Sequence, residues 1–96
     1  MTNHTDEMKF TVNREASASV HDSGIVILHT GRGSIYTSNL TGARIWRCLE
    51  QRLSLDAIAG EISAAYQIAR DIAREHVALF VADLERNMLI AREVQS

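Results

Sequence analysis

The sequence predicts an α+β domain, a three-stranded antiparallel sheet leading into three helices, on the strength of three observations. Apolar, β-branched runs in the front half are split by Gly31-Arg32-Gly33, a spacing that suits a tight hairpin because glycine accepts positive φ without steric cost. From Tyr36 to Trp46 the chain reads Y-T-S-N-L-T-G-A-R-I-W, which joins strand-like to helix-like sequence with almost no loop. Beyond Trp46, apolar residues recur at helical spacing to the end.

The first expected strand is Lys9 to Asn13, where Phe10 and Val12 alternate with Lys9, Thr11 and Asn13. Arg14 to Ser19 is small and polar and reads as a connection. Val20 to His29 contains Ile25-Val26-Ile27-Leu28 after Gly24, the strongest strand signal in the chain. The glycine turn then returns the chain into Ser34 to Ser38, with Ile35 and Thr37 on one face and Tyr36 and Ser38 on the other. Short connections make these three strands an antiparallel meander.

Asn39 and Thr41 are both N-cap candidates, because their side-chain oxygens can accept from first-turn N–H groups. The first helix therefore begins near Thr41 and ends near Gln51-Arg52, with Ile45, Trp46, Leu49 and Leu53 on one stripe. Ser54 caps a second helix whose Leu55, Ile58, Ala59, Ile62, Ala65 and Tyr66 keep the i, i+3, i+4, i+7 pattern. A third runs from about Ala69 to Asn87, with Asp71 favourable at its positive end. Its buried stripe is Ala73, Val77, Phe80, Val81, Leu84 and Met88. Ile72 and Leu79 lie beside that stripe with His76 and Asp83, and widen the apolar surface beyond one packing face. Leu89-Ile90 can return as a short edge segment.

The 96 residues suffice for one domain, expected over 9–91 with a disordered start at 1–8 and a frayed tail at 92–96. Ten Lys and Arg against twelve Asp and Glu give a formal charge of −2, so no overall field draws the chain to nucleic acid or anionic lipid. Cys48 is the single cysteine, which excludes an intrachain disulfide and points to the reducing cytoplasm. The polar start lacks the apolar core of a signal peptide, and no segment has the length of a transmembrane span.

Nothing in the chain assembles a catalytic or metal site. His4, His21, His29 and His76 are scattered, with neither i, i+4 spacing nor a cysteine partner. Cys48 has no neighbouring base to activate it. Asp83 and Glu85 point about 160° apart on a helix and cannot act on one bond. The expectation is a recognition module, not an enzyme, without cofactor or metal. A three-stranded sheet ends in an edge strand with unpaired N–H and C=O groups, able to accept an extended peptide as a further strand. Ser34 to Ser38 is that edge, and it equally permits a homodimer or strand exchange.

From about Gly24 to Ile90 the chain resembles the coenzyme PQQ synthesis protein D (PqqD) family, the peptide-recognition elements of ribosomal natural-product pathways. The matching pieces are Ile25 to Leu28, Gly31 to Gly33, Tyr36, Asn39-x-Thr41-Gly42-Ala43-x-Ile45-Trp46, Leu55-x-x-Ile58-Ala59 and Val77-x-x-Phe80-Val81-x-x-Leu84. Ser38 and Leu40 stand where the family commonly has leucine and proline, and Met88 where glycine is frequent. The resemblance implies a winged helix-turn-helix arrangement that binds a leader peptide between the third strand and the third helix. It also implies a maturation enzyme as partner, such as a radical SAM enzyme, a leader peptidase or a cyclase. On that basis Ile35, Tyr36, Thr37 and Ser38 form the docking edge. Helical geometry adds Ile72, His76, Leu79, Phe80 and Asp83 as the opposing wall, and Arg70, Arg74 or Arg86 are placed to pair acidic leader residues. The alternative is a winged-helix DNA-binding regulator, whose recognition helix should be basic. The expected third helix instead mixes Arg70, Arg74 and Arg86 with Asp71, Glu75, Asp83 and Glu85.

Overall fold

The computed structural model describes residues 8–93. In chain order the elements are β1 (Phe10–Val12), β2 (Ala16–His21), β3 (Gly24–His29), β4 (Ser34–Ser38), α1 (Leu40–Glu50), α2 (Leu55–Tyr66), α3 (Arg70–Arg86) and β5 (Ile90–Arg92). A three-stranded antiparallel sheet has the order β2-β3-β4, and β1 pairs with β5 in a separate two-stranded sheet. The α+β class and the sheet-then-helices order stand as expected.

One strand assignment is corrected. Lys9–Asn13 was expected as the first strand of the meander, yet Phe10 to Val12 pairs with Arg92 to Ile90. The meander's first strand is instead Ala16–His21, within the stretch read as a connection and as the start of the next strand. It pairs with β3 from Ala16↔His29 to His21↔Gly24, leaving Asp22-Ser23 as a two-residue turn. β2 carries almost no burial, so the period-2 apolar pattern that reveals a half-buried strand is missing from it. Gly24 closes this hairpin at φ +157°, and a Cβ there would lie 2.0 Å from the Ser38 carbonyl oxygen. Glycine is required at that point.

The helices start where side chains can cap them. Asn39 Oδ1 accepts from Gly42 N–H at 3.0 Å, and Ser54 Oγ accepts from Ala57 N–H at 3.2 Å. Ala69 gives α3 no such bond. Its start is tied to α2 through Arg70 and Asp56, 2.9 Å apart. The helix ends are tied less visibly. Arg52, Gln67 and Met88 follow the three helices in left-handed backbone at φ 62°, 54° and 60°. After α1 and α3 the hydrogen bonds are those of a Schellman turn: Arg52 N to Leu49 O and Leu53 N to Cys48 O, then Met88 N to Glu85 O and Leu89 N to Leu84 O. The residue after each turn, Leu53, Ile68 or Leu89, packs on the core.

That core lies between the inner face of the sheet and the helices. Trp46, Phe10, Ile25, Ile27, Leu49, Ile58, Ile62, Leu84, Leu89 and Val77 are essentially sealed from solvent. Burial of such a side chain contributes about 1.5–3 kcal/mol. Three expected stripe residues are exposed outside it, among them Ala65 near the end of α2. Met88 is exposed because the helix has already ended and the chain has turned. Tyr66, at the last turn of α2, is exposed and lies under the Arg44 guanidinium. Of the expected disordered start, Met1 to Glu7 lie outside the described residues, and the Met8 carbonyl accepts from Leu55 N–H. Of the expected frayed tail, Arg92 ends β5 and Glu93 N–H donates to the Lys9 carbonyl. Residues 94–96 are not described.

Candidate functional site

β4 pairs with β3 on one side and, among the described residues, with no strand on the other, so alternate N–H and C=O groups along Ser34–Ser38 face outward. Its register decides which side chains accompany that edge. Tyr36 and Ser38 lie opposite Ile27 and Ile25, both buried, and therefore face the helices. Ile35 and Thr37 lie opposite Leu28 and Val26 and point from the other face, where Ile35 is 68% exposed.

On the inner face the strand meets α3. The Tyr36 hydroxyl donates to Asp83 Oδ2 at 2.8 Å, and the Tyr36 ring meets Phe80 edge-on, with centroids 6.2 Å apart and planes at 62°. Arg86 holds the other Asp83 oxygen at 2.9 Å. The Tyr36 hydrogen bond, then Arg86, keeps the Asp83 carboxyl below its ordinary range. Burial, then the neighbouring Asp83, pushes the Tyr36 phenol upward. Near neutral pH the pair is a neutral donor on a carboxylate. Gly42 makes this approach possible, since a Cβ there would lie 2.2 Å from Ser38 Oγ and 3.0 Å from Phe80 Cζ.

The structure thus brings Tyr36, Ser38, Phe80 and Asp83 together. Ile72, His76 and Leu79 follow one another on α3 at spacings of four and three, with Phe80 four from His76 and Asp83 four from Leu79. All three are exposed, Leu79 at 69% and Ile72 at 49%. Ile35 and Thr37 join this surface through their backbone alone. Arg70 and Arg74 pair with Asp56, and Arg86 with Asp83, so the three arginines offered to acidic leader residues are engaged within the fold. Sequence reasoning had no role for Gly42 beyond its place in a motif, although a glycine in the first turn of a helix is a legible sign of close approach.

Elsewhere, the Cys48 thiol is buried, and that burial raises its pKa, the opposite of an activated nucleophile. No group of three His, Cys, Asp or Glu residues able to hold a metal ion occurs among the described residues. No helix among them is long and apolar enough to cross a membrane. Two concavities lie away from the β4–α3 face. One, of about 490 Å³, is lined by β1, β5, Glu85 and Met88. The other, of about 280 Å³, is lined by Leu40, Ala43, Arg44, Arg47 and Tyr66.

The family model for coenzyme PQQ synthesis protein D matches residues 24–90. This chain belongs to the PqqD family. The match runs from the first residue of β3 to the first of β5 and contains every residue of the β4–α3 face, leaving β1 and β2 outside the PqqD segment. Among solved structures, the chain is similar to "TbiB1 in Complex with the TbiA(beta) Leader Peptide", with a TM-score of 0.81, 22% identity, and coverage of 88% of this chain and 99% of that one. It is also similar to a lasso peptide synthetase B1 complexed with the leader peptide, with a TM-score of 0.74, 28% identity, and coverage of 85% and 96%. No curated protein matches this PqqD-family chain.

Proposed function

We propose that this chain is a cytoplasmic, non-catalytic carrier that binds the leader of a ribosomally made precursor peptide and presents it to a maturation enzyme. The observation that carries the reading is the open edge of β4 facing a helix whose Ile72 and Leu79 are exposed with no core contact to explain them. Membership of the PqqD family and similarity to a lasso peptide synthetase B1 bound to a leader peptide support it, and favour a lasso-type precursor over other ribosomal products.

The mechanism is strand addition. An extended leader extends the sheet at Ser34–Ser38, each main-chain hydrogen bond contributing about 1 kcal/mol net. These bonds read no side chains. Selectivity comes from pockets against Ile72, Leu79 and Phe80, where a fully buried leader Leu or Tyr adds about 1.5–3 kcal/mol, while His76 and Asp83 supply polar contacts. Tyr36 and Ser38 form the floor. A regulator that binds DNA through α3 is not favoured, because Arg70, Arg74 and Arg86 are all held by carboxylates and leave little positive charge for phosphate.

A fluorescence-polarisation titration with labelled leaders from neighbouring reading frames, and random duplex DNA as control, tests the proposal. Saturable micromolar or tighter binding to one leader and none to DNA is expected. Leu79→Asp should abolish most of that binding while circular dichroism stays unchanged, since the side chain is solvent-facing. Wild-type affinity in that variant removes the assigned groove, and salt-sensitive DNA binding without leader binding removes the whole reading.

A further inference from the structure

Five of the arginines, Arg52, Arg70, Arg74, Arg86 and Arg92, have a carboxylate partner. Arg14, Arg32, Arg44 and Arg47 have none among the described residues, and of these Arg44 and Arg47 share one concavity. They lie three residues apart on the outer side of α1 and line the concavity of about 280 Å³ with Leu40, Ala43 and Tyr66. Leu40 is 51% and Tyr66 41% exposed. The Arg44 guanidinium lies 5.7 Å from the centre of the Tyr66 ring, and hydrogen bonds from Thr41, then Arg44, hold the Tyr66 phenol below its ordinary pKa. Glu61 and Arg44 both act on Cys48 electrostatically, but they form no ion pair with each other.

We infer that this α1–α2 concavity is a protein-docking surface for an acidic, apolar-tipped segment of the maturation enzyme, separate from the leader groove. Two guanidiniums outside any ion pair of the fold call for carboxylates, which each can engage in bidentate fashion. Stacking on Tyr66 already orders Arg44, so less side-chain freedom is lost when a partner arrives. Tyr and Arg around an exposed leucine are the composition of interface hot spots. Phosphate would satisfy the charges but leave Leu40 and Tyr66 uncovered, so a protein partner is favoured over nucleic acid. Leu40 follows Ser38 by two residues, which sets the docked enzyme beside one end of the leader strand. The inference rests on the carrier reading for its partner's identity and on the patch alone for its location.

The test is biolayer interferometry of the purified full chain against each purified maturation enzyme encoded nearby, with the leader titration run on the same samples. The double variant Arg44→Glu/Arg47→Glu should weaken enzyme binding about tenfold or more while leader affinity is unchanged. Arg44→Lys/Arg47→Lys should recover part of the loss, and binding should weaken with added salt. Enzyme binding untouched by the Glu substitutions overturns the inference, as does failure of every enzyme to bind, even where leader binding is intact. Loss of duplex DNA or RNA retention in the double variant, with no enzyme effect, assigns the arginines to nucleic acid instead. Loss of leader binding in the wild type is a separate outcome that removes the carrier reading.

Discussion

Met88 stands in left-handed backbone at φ 60°, where a side chain costs roughly 1–2 kcal/mol relative to the right-handed region. A glycine is frequent there in the family, and the Schellman turn that ends α3 is the physical reason. Met88→Gly should therefore stabilise the fold by about 0.5–1 kcal/mol, the relief of strain less the extra freedom of glycine in the unfolded chain, read as a higher urea midpoint. Tyr36 and Asp83 make a second, pH-dependent case. Asp83 is held below its ordinary 3.8, so its contribution is present above that value and is lost as pH falls through the lower folded pKa. Tyr36 is raised above 10.0, so its contribution is present below 10.0 and is lost as pH rises towards the folded pKa. Tyr36→Phe should cost about 1 kcal/mol at neutral pH, shrink the acid loss and remove its share of the alkaline one. Urea melts of both proteins from pH 3 upward, on the order of one pH unit apart, would show it; parallel curves would mean the pair carries no linkage. The alternation placing Tyr36 and Ser38 on one face was legible in the sequence. The Tyr36–Asp83 bond was not, because it joins residues 47 positions apart.

Among the elements, β4, α1 and α3 meet closely at Gly42. At Gly42 a methyl group would meet Ser38 Cβ at 2.7 Å as well as its hydroxyl, and Cβ is fixed by the strand backbone. Gly42→Ala gains about 1 kcal/mol of helix propensity against an overpacking cost of about 1–3 kcal/mol that also pushes on Phe80. Sterics should prevail, with a fall in Tm and a weaker leader complex; an unchanged Tm would show that Ser38 and Phe80 yield freely. The helices themselves were readable in detail: the Ser54 cap, the Ala69 and Asn87 limits and the Ala73, Val77, Val81, Leu84 stripe follow from spacing alone. β2 was not, since an edge strand of Ala and Ser with little burial carries no periodic signal, and Asp22-Ser23 lacks the glycine or asparagine that marks most two-residue turns.

Taken together, the elements are closed by a pairing of distant ends. Phe10 in β1 is 1% exposed, and its strand pairs with Ile90–Arg92, with Thr11 reaching Glu93 by a further hydrogen bond. Phe10→Ala should cost about 3–5 kcal/mol, a large part of the stability of a domain this small, and a denaturant series would measure it. A cost below about 1 kcal/mol would mean that β1 is an accessory to the fold. Sequence alternation found β1, and the apolar pair Leu89-Ile90 marked only the start of β5; neither could be paired, because nothing local distinguishes a partner at the far end of the chain from the neighbouring strand.

That pairing also sets a schedule for biosynthesis. Phe10 is made early, and its strand partner Arg92 lies 82 residues downstream, the same separation as Thr11 and Glu93. At about 5–20 residues per second, translation reaches the partner strand about 4–16 s later. Throughout that interval β1 has no strand to pair with, so its backbone N–H and C=O groups stay unpaired while the β2–β3–β4 hairpins form from contacts close in sequence.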